Sequence, residues 1–541
     1  MAWSPRSPPA RASRSSSASQ GFGFPPQHYA FLVTGEDVDG IDARIRERGR
    51  QHWADPQREF PEQHNTDHGG RGVCFCDPSG HFSEALTQPD GSGSWPEWTT
   101  ADAPRRTARH RGTRRVGFWR SPPGDTGSQA QSQPSHRYRW GVAVNLPGAV
   151  RRSSLEDLSS LGEVVGDARV VAIGENNHYI REFGRLRAEV VRFLVTELGF
   201  SVVALESGFA EGLVVDAWIN GGPGGLAEVA RDGFTFRHGD AVEVQELITW
   251  LREHNAVGGR VRFAGLDVPG SGGSVLPALR LVRAHLVERA PEQVQLVDAA
   301  TSATQPYASA NNGVAPTKYA ELSTAERDAA TAALTRLLLR LDALPSSRPE
   351  DRLARHHALG ALRLDEHLRE LVELGQPDPS PLTSSSRDAY QAETVRLLRD
   401  LHGADQRIVV LAHNLHIQRV PMRLLPSVRA WSLGSYLAEE FGADYRAIGV
   451  TARAGTTVGM HLDDQARLGI GVTARPLEPV AEGSVEQAVG ESGPVLLDLR
   501  SATTGPTSIR HVTTTMPVDV AEAFDAVVCL PEMHPSSFVM A

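Results

Sequence analysis

From about Ser153 onward, short apolar runs alternate with segments of helical periodicity, and this alternation constrains the fold more than any other feature of the chain. Short runs rich in Val, Ile and Leu are typical of strands that are buried on both faces of a parallel sheet. Their alternation with helices predicts an α/β fold in which a mostly parallel sheet is flanked by helices. The predicted strands are 169–173, 201–205, 260–264, 407–412, 445–452, 494–499 and 524–528.

Helical periodicity fills the intervals between these strands and becomes dominant in the middle of the chain. The predicted helices are 180–198, 208–219, 241–255, 274–289, 324–345, 350–374 and 386–402. In the segment 324–345, apolar residues recur at helical spacing, which is typical of a face that packs on a core. We therefore predict a catalytic domain over 146–541, with a helical cap or insertion at about 274–405.

Residues 1–145 have a different composition, dominated by Ser, Pro, Gly and Arg, with almost no apolar periodicity. A segment of this kind buries too little apolar surface to offset the entropy of ordering the chain. We predict that this segment is a disordered, low-complexity extension. The alternative is that it is an artefact of a start codon assigned too far upstream. A further alternative is that the Arg-rich stretch at 105–120 is an arm that binds nucleic acid.

Charge and cysteine content exclude several classes of protein. The net charge of −10 and pI near 6.1 lack the basic balance that binding to nucleic acid phosphates requires. The three cysteines are too few for a disulfide framework, and the spacing of Cys74 and Cys76 is not that of a zinc site. No apolar run reaches the length of a membrane span. The expectation is a cytoplasmic protein with no nucleic-acid or membrane partner, and the sequence does not indicate its oligomeric state.

Acidic and histidine side chains follow four of the predicted strands. In open parallel sheets, ligands bind at the carboxyl ends of the strands, so these residues are expected to meet at one edge. A single acid at a strand end is usually a helix cap, but four strand ends of this kind favour an active site. The residues are Glu175 and His178, then Glu206, Asp267, and finally His413 and His416.

Hydrolysis by an activated water is the chemistry that these residues support most easily. His178 is a candidate general base, with Glu175 or Glu206 holding its imidazole in the correct tautomer. A zinc or manganese site built from Glu175, His178, His413 and His416 is the alternative. The serine nucleophile elbow, the phosphate-binding loop and a complete dinucleotide fingerprint do not occur in the sequence.

Several ordered segments of the chain resemble the erythromycin esterase family. The first runs from Gly166 to Phe183 and contains the Gly-Glu-Asn-Asn-His motif of 174–178. The other segments that carry the resemblance are 202–206, 263–267, 386–388, 412–416, 483–486 and 496–500. The likeness covers about 150–541 and leaves the first 145 residues unmatched.

The resemblance implies an α/β fold with a deep cleft, in which an ester of an erythromycin-type macrolactone is hydrolysed without a metal. It assigns the role of general base to His178, and Glu175 and Glu206 become its acidic partners. It also implies that His413 and His416 line the cleft. We expect His413 to be catalytic together with His178, Glu175 and Glu206, and we expect substrate-binding roles for four residues: Arg187, His416, Asp267 and Tyr179. Helical phase counted from His178 favours Arg185 instead of Arg187, whereas the family spacing favours Arg187.

The expected partner is a small-molecule ester or lactone, no cofactor or metal is expected, and macrolide inactivation is the expected biological role. The sequence departs from the family pattern at Asn176, Asn177 and Tyr179, where the family has small residues. These departures affect the choice of substrate more than the chemistry. Because the wider superfamily includes iron- or haem-binding proteins, a binding protein without esterase activity is a further alternative.

Overall fold

The computed structural model describes residues 28–32, 35–49, 51–54, 61–64, 71–76, 82–87 and 150–540, the last range with short internal gaps. These gaps are at 156–157, 310–312, 346–347, 377–378, 380–382, 404, 426–427, 464–465 and 491–492. The chain divides into two compact units, Met1–Arg137 and Tyr138–Ala541.

The described part of the first unit contains a small mixed sheet and one helix. Strands β1 and β4 are parallel, the other neighbours are antiparallel, and the sheet order is β1-β4-β3-β2. Their bounds are β1 His28–Leu32, helix α1 Gly35–Glu47, β2 His52–Trp53, β3 Gly72–Cys76 and β4 Phe82–Leu86.

This small fold differs from the expectation that residues 1–145 lack a core. Val38, Ile45 and Val73 are buried together, and Ile41 and Phe75 pack against them. These residues lie in only two short elements, α1 and β3, and segments rich in Gly, Pro and Ser occupy much of the rest of the stretch. Composition averaged over the whole stretch therefore hid them. The Arg-rich stretch at 105–120 lies outside the described residues.

The second unit is built on a nine-stranded, mostly parallel sheet. Its strand order is β5-β14-β17-β12-β6-β9-β7-β8, and β13 pairs with β12 outside this path. The parallel strands include all four that precede the predicted site residues, whereas β5, β13 and β14 pair antiparallel. The bounds are β5 Arg151–Ser154, β6 Val170–Ile173, β7 Phe200–Gly208, β8 Arg262–Asp267, β9 Arg407–Leu411, β12 Tyr445–Leu462, β13 Ile470–Pro476, β14 Val495–Asp498 and β17 Ala526–Met533.

Two short antiparallel pairs lie outside this sheet. They are β10 Met422–Arg423 with β11 Arg429–Ala430, and β15 Ser508–His511 with β16 Thr514–Pro517.

Helices cover both faces of the large sheet. Successive residues of β6 contribute alternately to two cores, with Val170 and Ala172 in one and Val171 and Ile173 in the other. A strand that feeds two cores needs apolar side chains at every position, which is why its sequence is a continuous apolar run. The helices outside the insertion are α2 Ser159–Val165, α3 Arg181–Leu198, α4 Phe209–Ile219, α5 Leu226–Asp232, α6 Val242–Ala256, α13 Asn414–Ile417, α14 Leu433–Phe441, α15 Val485–Val489, α16 Val520–Ala523 and α17 Ser537–Met540.

A helical insertion lies between β8 and β9, as the sequence predicts. The apolar face of α10 is buried in it at Ala330, Leu334 and Leu337. Its helices are α7 Leu276–Arg289, α8 Val294–Thr304, α9 Ala315–Glu321, α10 Thr324–Asp342, α11 Pro349–Leu374 and α12 Ser386–His402. The predicted α/β class, with a mostly parallel sheet and a helical insertion, is confirmed. Among the described residues, no helix is long and apolar enough to cross a membrane.

Candidate active site

The strand ends that carry the predicted site residues are neighbours in the sheet. Strands β6, β9, β7 and β8 follow one another in that order. Glu175 follows β6, His413 follows β9, Glu206 lies near the end of β7, and Asp267 ends β8. Because these strands are parallel, their carboxyl ends share one edge, which brings the four side chains together.

His178 is held by Glu175 at the centre of this edge. The Nδ1 atom of His178 lies 2.8 Å from Oε1 of Glu175, and the same oxygen lies 2.8 Å from Nη1 of Arg187. Arg187 also donates to the carbonyl oxygens of Gly174, at 3.1 Å, and Ala412, at 2.6 Å. Buried Arg187 therefore fixes the orientation of the Glu175 carboxylate, and this carboxylate fixes the orientation of the His178 imidazole.

The loop that carries these residues needs a glycine at its start. A Cβ atom on Gly174 would lie 1.9 Å from Oδ1 of Asn414. That amide bridges to the backbone of β12, because Nδ2 of Asn414 donates to the carbonyl of Val450 at 2.9 Å and its Oδ1 accepts from the Val450 N–H at 3.1 Å. Gly174 thus lets the loop leave β6 directly beside the neighbouring strand ends.

Arg187 reaches Glu175 because α3 begins only at Arg181. With that starting point, Arg187 is buried and Arg185 is exposed. The phase counted from His178 fails because the residues between His178 and Arg181 are not helical, and Tyr179 has a φ of 60°.

The two members of the Glu175–His178 pair have shifted pKa values. Burial alone would raise the pKa of Glu175, but the Arg187 charge and the hydrogen bond to His178 lower it to about 2. Burial alone would lower the pKa of His178, but the hydrogen bond and charge of Glu175 outweigh it and raise that pKa. Glu175 is therefore a permanent carboxylate at neutral pH, and His178 is a stronger base than a free imidazole.

Glu206 lies in a second charged cluster and does not hold His178. Its Oε1 lies 2.9 Å from Nη2 of Arg387 and 3.2 Å from Nε2 of His416, and its Oε2 accepts from the N–H of His413 at 2.7 Å. Burial would raise the pKa of Glu206, yet His416, His178 and Arg387 hold it well below its usual range. Glu206 is consequently a fixed anion that anchors its neighbours.

His416 is a fixed cation in the same cluster. Its Nδ1 lies 2.7 Å from Oδ1 of Asp388, and its Nε2 faces Glu206. Burial alone would lower the pKa of His416, but the Asp388 and Glu206 carboxylates raise it to about 10. Both nitrogens are occupied, so His416 contributes charge to the cleft instead of exchanging protons.

His413 is neutral and fully hydrogen-bonded. Its Nδ1 accepts from the N–H of Leu415 at 3.1 Å, so Nε2 carries the proton and donates to the carbonyl oxygen of Asn176 at 2.9 Å. Burial, with His511 and His178 nearby, holds the pKa of His413 well below its usual range. The imidazole joins the loop after β6 to the loop after β9.

Asp267 and Tyr179 have partners within the protein. Asp267 is fully buried and pairs with Arg387, at 2.9 Å from its Nε and 2.6 Å from its Nη2. The hydroxyl of Tyr179 donates to the carbonyl oxygen of Phe236, and its ring is almost fully buried. Both residues lie at the site, where Asp267 holds Arg387 and Tyr179 holds the backbone at Phe236.

The four residues considered as metal ligands are already engaged. His413 and His416 use both ring nitrogens, Glu175 faces Arg187 and Nδ1 of His178, and this cluster therefore offers a cation few free donor atoms. Within the described ranges, one group of potential ligands with atoms mutually within 4.8 Å lies in the first unit, at Asp42, His52 and His64. There Arg46 donates to Asp42 at 2.9 Å and lies 3.3 Å from Nε2 of His52, so a cation would have to displace it.

Four further residues of the site were not assigned by the sequence analysis. Arg387 and Asp388 lie at the start of α12, in a segment that carries the family resemblance. His238 begins a short 3-10 turn and His511 ends β15, and their rings lie 5.1 Å in centroid distance from those of His178 and His413 respectively. No strand precedes His238 directly, so the strand-end criterion could not find it.

Comparison with known proteins shows the family of the chain. The family model described as erythromycin esterase matches residues 195–533, a range that contains Glu206, Asp267, His413 and His416 and begins after Glu175 and His178. Erythromycin esterase type II of Escherichia coli is 29% identical over 400 residues, which cover 71% of this chain and 94% of the relative. Erythromycin esterase type I of Escherichia coli is 28% identical over 410 residues, which cover 72% and 97% respectively.

Solved structures show the same fold. A mutant of the erythromycin esterase EreC in its open conformation has a TM-score of 0.62 and 24% identity, covering 71% of this chain and 96% of that one. A succinoglycan biosynthesis protein has a TM-score of 0.56 and 21% identity, with 71% and 93% covered. The family model matches more than half of the chain, and the chain belongs to the erythromycin esterase family.

Proposed function

We propose that this protein is a carboxylic ester hydrolase that opens a macrolactone ring with a water molecule activated by His178. One observation carries the proposal. His178 is held through Nδ1 by a carboxylate that a buried arginine fixes, with 2.8 Å at both contacts. This is the arrangement in which an imidazole acts as a general base through its other nitrogen.

The reaction follows from the protonation states. With Nδ1–H donated to Glu175, Nε2 of His178 has a free lone pair and takes a proton from water as the water oxygen attacks the ester carbonyl. A tetrahedral intermediate forms, and the imidazolium is stabilised by Glu175. When the intermediate collapses, the carbon–oxygen bond to the alcohol breaks, and Nε2 returns its proton to the departing alkoxide. The products are a carboxylic acid and an alcohol, so one water molecule is added in total.

The second cluster provides a rigid electrostatic wall for this step. Arg387 and His416 are cations, Glu206, Asp267 and Asp388 are anions, and most of them are deeply buried. Such preorganised charges need not rearrange during the reaction, which is the main advantage of an enzyme site over water. We assign positioning roles to Glu206, Asp267 and His413, because each contacts other site residues.

The substrate class rests on the family. The two curated relatives are named as erythromycin esterases, and both are matched over almost their whole length. A macrolide lactone is therefore the proposed substrate, and inactivation of a macrolide antibiotic is the proposed role. Asn176, Asn177 and Tyr179 lie in the loop that carries His178, so they are the positions at which this chain can differ in substrate from its relatives.

Incubation of the full-length protein with erythromycin, followed by mass spectrometry, tests the proposal. The expected product is heavier than erythromycin by one water. The variant His178→Gln should lose the activity, whereas His461→Gln, at an exposed histidine of β12, should keep it. A His178→Gln protein with wild-type turnover would refute the role of His178, and the absence of product from wild type over a panel of macrolides would refute the substrate.

Two alternatives from the sequence are tested with the same preparation. A metal-dependent hydrolase would lose activity on chelation and regain it with zinc or manganese, whereas the engaged donor atoms favour activity that chelation does not change. A haem-binding protein would show a Soret band on titration with haem and no ester hydrolysis.

A further inference from the structure

His238 contains a buried polar atom that has no hydrogen-bond partner in the described part of the chain. The residue begins a short 3-10 turn, His238–Asp240, between α5 and α6, and it is only 6% exposed. Its Nε2 atom has no hydrogen bond within the described residues. Its ring lies edge-on to that of His178, with 5.1 Å between the centroids. Because an unsatisfied buried nitrogen is costly, such an atom usually marks a site for water or a ligand.

The backbone directly before His238 is strained. The two preceding residues, Phe236 and Arg237, have φ values of 53° and 64°, in the left-handed region that non-glycine residues rarely adopt. Residues in this region are strained, and clusters of them are typical of functional sites. Several contacts hold the loop. Among them, the Tyr179 hydroxyl donates to the Phe236 carbonyl, Arg237 pairs with Asp240 at 2.8 Å, and the Thr235 N–H donates to Oγ of Ser207 at 2.9 Å.

A small cavity lies beside His238, on the side of the Glu175–Arg187 pair. Its volume is about 50 Å³, and its polar lining consists of Glu175, Tyr179, Arg187, His238 and Glu243, with apolar side chains around them. A cavity needs only about 10–15 Å³ of such volume to hold one water, provided that two to four polar groups are within reach. The volume of this cavity exceeds that requirement, and five polar side chains line it.

We infer that this cavity holds an ordered water that accepts a hydrogen bond from Nε2–H of His238 and donates one to the Glu175 carboxylate, which makes His238 a positioning residue for the general base. The inference rests on the proposed function only for its catalytic consequence. This water gives the Glu175 carboxylate a third hydrogen-bond partner, in addition to His178 and Arg187. In metal sites, partners that orient the ligating side chains are typically worth about 10–100-fold in activity, and we expect an effect of the same size for a partner that orients Glu175.

Neutrality suits His238 to this role. Burial, and secondarily the nearby His178, lower the pKa of His238 to about 4, so the ring stays neutral at the pH at which an esterase works. A neutral donor can orient Glu175 without placing a second cation beside the imidazolium that forms on His178 during the reaction.

Matched variants separate this role from a purely structural one. His238→Gln keeps an N–H donor, whereas His238→Met fills a similar space without one. His357→Met is the control, because His357 on α11 is also buried, its Nδ1 has no hydrogen-bond partner among the described residues, and burial lowers its pKa to about 4, but its ring packs on Phe209. With erythromycin as the probe, we expect kcat to fall about 10–100-fold in His238→Met. KM should change little, kcat should be largely restored in His238→Gln, and His357→Met should keep wild-type kcat.

Wild-type kcat in His238→Met, or equal losses in the two His238 variants, would overturn the inference. A high-resolution crystal structure of the wild-type protein tests it without any assay. Density for a water within hydrogen-bond distance of both Nε2 of His238 and Glu175 is the expected result, and an empty cavity would overturn the inference. If this water is present but no macrolide is hydrolysed, the proposed function fails while the water site stands.

Discussion

His178 and Glu175 are joined by a 2.8 Å contact between Nδ1 and Oε1, and only three positions separate them along the chain. The contact is formed by the turn after β6, so one short loop supplies both the base and the carboxylate that orients it. It determines which nitrogen of the imidazole is free, and it raises the pKa of His178.

Replacing Glu175 by Gln should reduce kcat and move the pH profile. Gln can still accept a hydrogen bond but carries no charge, so the raised pKa of His178 should fall. The acid limb of kcat/KM should then move to lower pH, while the maximum drops by about 10²–10⁴-fold, the range for a positioned acid–base group. A pH–rate profile checks both changes, and an unshifted acid limb would show that the limb reports another group.

Replacing Arg187 by Met should destabilise the protein as well as inactivate it. The change leaves the Glu175 carboxylate buried without its cation and three backbone carbonyls without their donor. Removing one partner of a buried ion pair typically costs about 3–5 kcal/mol in unfolding free energy. Arg185→Met, two residues earlier on the exposed face of α3, is the control and should stay within about 0.5 kcal/mol of wild type. Urea unfolding measures both, and equal effects would contradict the assignment of Arg187.

The His416 cation should make the stability depend on alkaline pH. Its pKa is about 10 in the folded protein against 6.5 for an ordinary histidine. A raised folded pKa contributes stability that is fully present below 6.5 and is lost as the pH rises through 10. We expect wild-type stability to decline over this window and His416→Gln to show a shallower decline. Thermal unfolding at pH 6, 8 and 10 is the measurement, with His461→Gln as the control, and identical slopes for His416→Gln and wild type would contradict the prediction.

Removing the hydroxyl of Tyr179 should loosen the loop that carries His238. The Tyr179→Phe variant loses the bond to the Phe236 carbonyl, which then lacks this partner next to two left-handed residues. A cost of about 1–3 kcal/mol is expected for a buried group that loses its hydrogen bond. Hydrogen exchange should speed up most in the segment 233–241. If exchange there is unchanged, the hydroxyl does not anchor the loop.

Much of the second unit could be predicted because its strands and helices have different periods. Continuous apolar runs identified the central strands, since a strand that feeds two cores is apolar along most of its length, although β12 continues to Leu462, well beyond its predicted end at 452. The antiparallel strands β5 and β13 were missed, since β5 has the sequence Arg-Arg-Ser-Ser and most of β13 is exposed or half-buried. The small fold within His28–Leu86 was missed as well, because its apolar runs are short and isolated.

The roles within the site were less predictable. The sequence left open whether Glu175 or Glu206 orients His178, and the structure places Glu175 on that imidazole and Glu206 on Arg387, His416 and the His413 N–H. No local pattern marks Arg387 or Asp388 as partners of strand ends that lie more than 100 positions away in some cases. His238 depends on a strained loop, which composition does not show.

The sequence by itself determined which chemical groups reach one edge of the sheet, because parallel strands that end in acids and histidines must present them together. Only the tertiary structure decided the protonation state of each group at neutral pH. Burial and pairing make His416 a cation, keep His413 and His238 neutral and leave His178 as the strengthened base, although all four have the same side chain. The physical reason is that a histidine's charge depends on its distance to carboxylates and on its loss of water, and both are set by contacts between segments far apart in the chain.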